Sequence, residues 1–434
     1  MNPFKSLFLS AFLLIIPWNV FSQAVTLSLN EESGVYQKGE KIVVKASSEG
    51  LTDSLKIKVI KNHKEVILEK AFAPNQEYIV FENSYKEPCS VIIEARVGNQ
   101  RRTLESTGCI VAPEKFKPGF DRPKDFDQYW ADQKSQLAAI PINPKTKALE
   151  VPEGDAGYVC FDVELDCLGP KPARGYFAKP AKAAEKSLPI IILVRAAGVS
   201  GNWCQCNVKE VVANAKLGHG ALSFDLNAHG MLNGQPIEYY RDLERGELKN
   251  YSNIGIQNRE EFYFRGMYLR LLRAIEYLTQ QPEWDGKRIL VIGESQGGGQ
   301  AAAAAGLDPR VSAVVLHVPA MLDWGGALIG RRGGWPQPVE NNTTATEAIE
   351  NVLPYFDGAL LLKNSKATIF AEIGLIDTTC PCTGVYAAIN QSKGKKIINP
   401  VTYRQHSWPT GKYRTQWDQT FLKERLAFID NYLK

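Results

Sequence analysis

The stretch Arg288-Ile-Leu-Val-Ile-Gly293-Glu-Ser295-Gln-Gly297-Gly-Gly-Gln300 sets one serine between two glycines, after an apolar run and before an alanine-rich one. It reads as strand, sharp turn and helix. Gly293 and Gly297 lack a Cβ, so strand and helix can close tightly around the turn. Such a turn lifts the Ser295 hydroxyl above a sheet, and the helix N-terminus beneath it favours developing negative charge. The chemistry this suits is nucleophilic attack on an acyl carbon. A glycine-rich turn with a structural serine is the bland alternative, and the strand before it and helix after it weigh against that.

A serine hydroxyl needs a base at neutral pH. The chain has five histidines. Where a G-x-S-x-G turn carries the nucleophile, the order along the chain is serine, acid, histidine. His63, His219 and His229 precede the serine and drop out. His317 lies inside the apolar run Val314-Val-Leu-His317-Val and reads as a core histidine. His406 remains, in Tyr403-Arg-Gln-His406-Ser-Trp408, after the last apparent strand and before the C-terminal helix. The acid belongs at a strand end between the two. Asp377, following Ile369–Ile376, is favoured over Asp357 in Tyr355-Phe-Asp357-Gly and over Asp323. It would fix the imidazole tautomer and stabilise the imidazolium. The oxyanion would be held by the backbone N–H of Gln296 and by that of Ala197, in the loop Arg195-Ala-Ala-Gly198. This mechanism needs neither metal nor organic cofactor.

The elements that must position these groups are legible. From about residue 158 strands alternate with helices: Leu188–Val194, Leu222–Leu226, Arg288–Ile292, Val311–His317 and Thr368–Ile373 as strands, and Tyr268–Leu278 and Gln300–Ala305 as helices. Alternation of this kind predicts an α/β fold, a doubly wound and mainly parallel sheet of α/β-hydrolase type. Residues 23–112 differ. Short runs rich in Val, Ile and Thr recur there: Val25–Leu29, Lys41–Ala46, Leu55–Ile60, Val66–Phe72, Tyr78–Phe81 and Val91–Val97. They predict a small all-β domain, an immunoglobulin-like sandwich. Pro113, Pro118 and Pro123 mark residues 113–124 as a linker, and residues 125–434 form the catalytic domain. Phe126–Leu137 has helical spacing, with Trp130 on its apolar face.

Residues 1–22 carry Lys5 and then the apolar run Leu7–Ile16, too short to span a bilayer comfortably, with a small residue at Ser22. This is the pattern of a signal peptide and predicts a secreted or periplasmic protein with no membrane span. The net charge of +4 on 434 residues, with Lys and Arg spread along the chain, excludes a nucleic-acid partner. Eight cysteines are present. Cys89 and Cys109 could pair. Cys204-x-Cys206 with Cys380-x-Cys382 does not have the usual zinc spacing, so paired or free thiols are expected.

Four stretches together resemble the acetyl xylan esterase and cephalosporin-C deacetylase family: Gly293-Glu-Ser-Gln-Gly297, Arg265-Gly266-Met-Tyr268, Tyr355-Phe-Asp357-Gly358 and Gly374-Leu-Ile-Asp377-Thr-Thr-Cys380-Pro381. Asp125-Phe126-Asp127 with Trp130 is similar to its entry helix. The likeness covers roughly residues 115–434. It implies removal of acetyl groups from short xylo-oligosaccharides or small acetyl esters, with Ser295, Asp377 and His406 as the triad. Three departures stand out. Arg195-Ala-Ala197 replaces the family's H-G-Y, Ala228-His229-Gly230 replaces R-G-Q, and Ser407 rather than Glu follows His406. Closed rings of subunits are common in that family, but an added N-terminal domain leaves an oligomer open here. Two other readings compete: an esterase for another acyl or uronoyl ester of plant polysaccharide, and a non-catalytic glycan-binding protein.

Overall fold

The computed structural model describes residues 23–342 and 346–434, and the expected signal peptide at 1–22 lies outside them. The N-terminal strands build two sheets. One contains β1 (Ala24–Leu29), β3 (Lys41–Glu49) and β6 (Glu77–Ser84). The other runs β2 (Val35–Tyr36), β8 (Glu105–Val111), β7 (Cys89–Val97), β4 (Leu55–Lys61), β5 (Glu65–Phe72). Alternation builds them: Ile42, Val44 and Ala46 of β3 are buried while Lys41 and Lys45 face water. Ile57, Val59, Val91 and Ile93 of the second sheet close onto β3 in one core, the expected sandwich. Cys89 and Cys109 do not bond. They sit on neighbouring strands out of register, Cys89 opposite Val111 and Cys109 opposite Val91. All eight cysteines are free.

The rest of the chain builds one nine-stranded sheet. β9 (Lys145–Leu149), β10 (Tyr158–Leu165) and β11 (Ala173–Pro180) are antiparallel at one edge. β12 (Leu188–Val194), β13 (Leu222–Asn227), β14 (Trp284–Glu294), β15 (Ala313–His317), β16 (Thr368–Gly374) and β17 (Lys396–Val401) are parallel. The order is β17-β16-β15-β14-β12-β13-β11-β10-β9. The helix α1 (Phe126–Ala138) precedes these strands, and α2 (Val208–Ala215), α3 (Ile237–Arg245), α4 (Tyr263–Thr279) and α5 (Gln296–Leu307) are among those between them. The central strands are apolar throughout because both faces are covered. Ile190 and Ile192 of β12 join the core under α4 and α5, while Ile191 joins a core closed by the C-terminal helix Lys423–Leu433.

The sandwich is docked onto this sheet. The Gly108 N–H of β8 donates to the Thr402 carbonyl at 2.9 Å, just past β17. Tyr413 donates to Glu105 at 2.5 Å, and Lys412 pairs with the same carboxylate at 3.1 Å. His63 lies 3.3 Å from the Cys382 sulfur. Residues 113–124 are packed as well. Phe116 and Phe120 are buried in the larger core, and the Gly119 N–H donates to Asp323 at 2.7 Å.

Candidate active site

Ser295 stands between β14 and α5 with φ 53° and ψ −120°, a conformation an L-residue adopts only under constraint. Its N–H donates to the His317 carbonyl of β15 at 2.9 Å, and its carbonyl accepts from Ala320 at 2.9 Å. The flanking glycines are required by contact. A Cβ on Gly293 would lie 2.1 Å from the Gly297 carbonyl carbon, and one on Gly297 would lie 2.1 Å from the Val194 oxygen.

The structure brings three of the expected residues together. Ser295 Oγ is 3.0 Å from His406 Nε2, and His406 Nδ1 is 2.9 Å from Asp377 Oδ2. Asp377 sits in the turn after β16, and its other oxygen accepts the N–H groups of Thr379 and Cys380, both at 2.8 Å. A fully buried carboxylate held by two amides can only face the imidazole. The rival acids are committed elsewhere. Asp357 accepts the N–H groups of Asp323, Trp324 and Ala359 at 2.7, 2.7 and 2.9 Å. Asp323 is ion-paired with Arg331.

The expected oxyanion donors are Gln296, which directly follows the serine, and Ala197, in the loop after β12. Gln296 is the first residue of α5, where a backbone N–H has no partner within the helix. Among the described residues the Ala197 N–H has no partner either. Its loop is fixed on both sides. The Ala197 carbonyl accepts from the Trp203 indole at 2.8 Å, and the Gly198 carbonyl accepts from His229 Nε2 at 2.9 Å. That carbonyl assigns the tautomer of His229: Nε2 carries the proton, so Nδ1 accepts from the Tyr263 hydroxyl at 2.7 Å. Burial, reinforced by Arg270, pushes the His229 pKa down to about 4, so the ring stays neutral. Tyr251 packs against it and donates to the Gln296 side chain at 2.5 Å. Arg195, the first residue of the altered loop, pairs bidentately with the buried Asp225 and also reaches Glu210 at 2.7 Å.

A buried charged layer lies under the histidine loop. Arg404 is fully buried. It donates to the carbonyls of Gln405 and His406 at 2.6 and 2.9 Å and to that of Ser407. Its Nε donates to Glu372 at 2.9 Å. Glu372 also accepts from the Trp417 indole at 2.8 Å and is ion-paired with His317. Burial would raise the Glu372 pKa, but His317 and Arg404 outweigh it and hold it at about 2. Burial would strip the His317 proton, but Glu372 and Glu294 reverse this and raise its pKa. Sequence reasoning left this layer and the Tyr251–His229 pair unread. A signal was present. Asp225, Glu294, His317 and Glu372 are each a charged residue at the C-terminal end of an apolar strand, the end where open α/β sheets bind ligands.

Asp377, Cys380 and His406 are the one His, Cys and acid group close enough to hold a metal among the described residues, with ligand atoms within 4.8 Å. Asp377 and His406 already bond each other, and burial pushes the Cys380 thiol well up, which opposes thiolate ligation. The Cys204 and Cys206 thiols donate to the carbonyls of Gly201 and Asp225 at 2.9 and 3.0 Å. The C-x-C pairs therefore do not meet around a common ion. No helix among the described residues is long and apolar enough to cross a membrane.

A family profile described as acetyl xylan esterase (AXE1) matches residues 113–424, beginning after the sandwich. The acetyl esterase Axe7A of Xylanibacter ruminicola is 29% identical over 310 residues, 69% of this chain and 67% of that protein. The solved acetyl xylan esterase from Paenibacillus sp. R4 covers 74% of this chain and 98% of its own at 24% identity, with a TM-score of 0.61. Acetyl xylan esterase 1 from Thermoanaerobacterium sp. JW/SL YS485 gives the same coverage at 21% identity and a TM-score of 0.56. The two solved structures share the α/β-hydrolase fold of residues beyond the sandwich.

Proposed function

This chain belongs to the acetyl xylan esterase family, and on that premise we propose that it deacetylates xylo-oligosaccharides or related acetylated carbohydrates through Ser295, His406 and Asp377. It is a serine carboxylic-ester hydrolase acting on carbohydrate acetyl esters. The observation that carries the finer reading is the continuous relay from Ser295 Oγ through His406 to Asp377, at 3.0 and 2.9 Å.

The chemistry follows from that relay. His406 Nε2 takes the Ser295 proton as Oγ bonds to the acetyl carbonyl carbon. The carbonyl oxygen gains negative charge, which the N–H groups of Gln296 and Ala197 hold. The C–O bond to the sugar breaks as His406 returns the proton to the departing hydroxyl. Water then attacks the acetyl-enzyme, with His406 again as base, releasing acetate. Each step uses only this chain's side chains, backbone amides and water.

In this reading residues 23–112 form a sandwich domain, 113–124 the connection and 125–434 the catalytic domain. A leader at 1–22 would deliver the enzyme outside the cytoplasm, where plant polysaccharide is met. Turnover of 4-nitrophenyl acetate and 4-nitrophenyl butyrate, beside Ser295→Ala, tests the core of the proposal. Acetate turnover that vanishes in the variant and exceeds butyrate turnover by about tenfold or more supports it. A folded protein that cleaves neither ester overturns it.

A further inference from the structure

Two cavities open along the seam between the sandwich and the loop that carries His406. One, of about 310 Å³, is walled by Thr103 and Ser106 on the sandwich side and by Gln405, His406 and Ser407 opposite. The other, of about 360 Å³, shares Thr103, Ser106, Gln405 and Ser407 and continues to Trp408. The shared walls make the two cavities neighbours along one grooved seam, and the smaller of them reaches His406. We propose that this groove binds the glycan chain of the substrate, so that the sandwich supplies one wall of the sugar-binding site. The inference rests on the esterase reading and adds the place where the sugar chain lies.

Three observations carry it. The first is direction. In deacetylation the sugar hydroxyl is the leaving group and receives its proton from His406. The remainder of the glycan must therefore extend from the His406 side of the site, which is where the groove starts.

The second is the chemistry of the walls. Hydroxyls and an amide from Thr103, Ser106, Gln405 and Ser407 line the shared part. The carboxylates beside it are already occupied. Glu105 holds Tyr413 and Lys412, and Glu94 pairs with Arg96 at 2.7 Å. The shared part carries no charged side chain, which suits a neutral, hydroxyl-rich ligand, and Arg102 stands only in the wall of the second cavity.

The third is a fixed aromatic face. Trp408 is 40% exposed. Its ring is braced edge-on by Trp417 at 5.0 Å and by the Arg414 guanidinium at 5.5 Å. An indole held in this way offers an apolar face to the C–H side of a sugar ring, and polar neighbours for the ring hydroxyls.

Calorimetric titration of the full chain with deacetylated xylohexaose and xylobiose reads the groove without turnover. Xylohexaose should bind about tenfold more tightly than xylobiose or better. Ser106→Tyr, which fills the part common to both cavities, should remove that difference, and Trp408→Ala should reduce it from the far end. Equal affinity for the two sugars, or a chain-length preference that survives Ser106→Tyr in a folded protein, overturns the proposal. Xylohexaose binding that depends on Ser106, without Ser295-dependent ester hydrolysis, would sink the esterase reading and leave the groove standing.

Discussion

Arg404 donates from its buried guanidinium to the carbonyl oxygen of His406, two residues further along, at 2.9 Å. The same guanidinium holds Glu372 of β16 at 2.9 Å. The backbone carrying the histidine is thus tied to the strand that leads to Asp377, so the imidazole and its acid share one anchor.

Replacing that anchor should misplace the imidazole. For Arg404→Met we expect kcat on 4-nitrophenyl acetate to fall by about 10²-fold with little change in KM, since small displacements of a catalytic group cost about that much. Stability should fall by about 3–5 kcal/mol, because Glu372 is left buried and short of a cation. Adding Glu372→Gln should restore part of the stability but not the rate. Full recovery of kcat in the double variant would show that Arg404 acts only on folding.

The two carboxylates that compete for the role of acid should part cleanly. Asp377→Asn should lower kcat by about 10⁴-fold with a modest change in melting temperature, as expected for loss of the correct tautomer. Asp357→Asn should cost about 1–3 kcal/mol of stability, since three backbone amides bind that carboxylate. The protein that remains folded should keep its kcat. Similar kcat losses for the two variants would count against Asp377.

Tyr251→Phe removes the hydroxyl that holds the Gln296 side chain at 2.5 Å. A drop of about tenfold in kcat is expected, equal to one ordinary hydrogen bond lost beside the oxyanion. Thermal unfolding should shift little. Steady-state kinetics with an unchanged kcat would show that the Gln296 amide keeps its place without Tyr251.

Two buried histidines give the stability its acid limb. Burial comes first in lowering both, with Arg332 beside His63 and Arg270 beside His229; His63 falls to about 3 and His229 to about 4. The unfolded chain binds protons at about pH 6.5, where the folded chain refuses them. Stability is therefore complete above that pH and declines as the pH falls toward 4 and then 3. The slope is about 1.4 kcal/mol per pH unit for each histidine. Melting curves of the wild type and His63→Gln between pH 7 and 5 should show a shallower decline in the variant. Parallel declines would remove His63 from the account.

The three residues of the hydrogen-bonded relay were legible because each had a local mark: Ser295 its glycines, Asp377 its strand end, His406 its place after the last strand. Leu188–Val194 was readable to the residue because a strand covered on both faces is apolar at every position. β9 was not, because at an exposed sheet edge the pattern dilutes; four of its five residues are exposed. β8 was missed for a different reason. Glu105 and Gly108 are polar or small, yet they are buried and bonded to the segment that follows β17, Glu105 to Tyr413 and Lys412 and Gly108 to Thr402. Long-range contact decided their burial, and no period in the chain records it. The Arg404 anchor belongs to the same class: its carboxylate partner Glu372 lies on a strand more than thirty residues upstream.

Gly108 leaves no room for a side chain, since a Cβ there would lie 2.6 Å from the Leu375 carbonyl oxygen. Gly34 meets Thr402 and Leu375 from the neighbouring turn. The sandwich is therefore not an interchangeable part. A β-module grafted onto residue 113 by recombination would bring ordinary side chains to this seam and push the Leu375 and Thr402 turns away from the triad. Descent of this architecture must keep both halves of the gene in step, with glycines in one half matched to turns in the other.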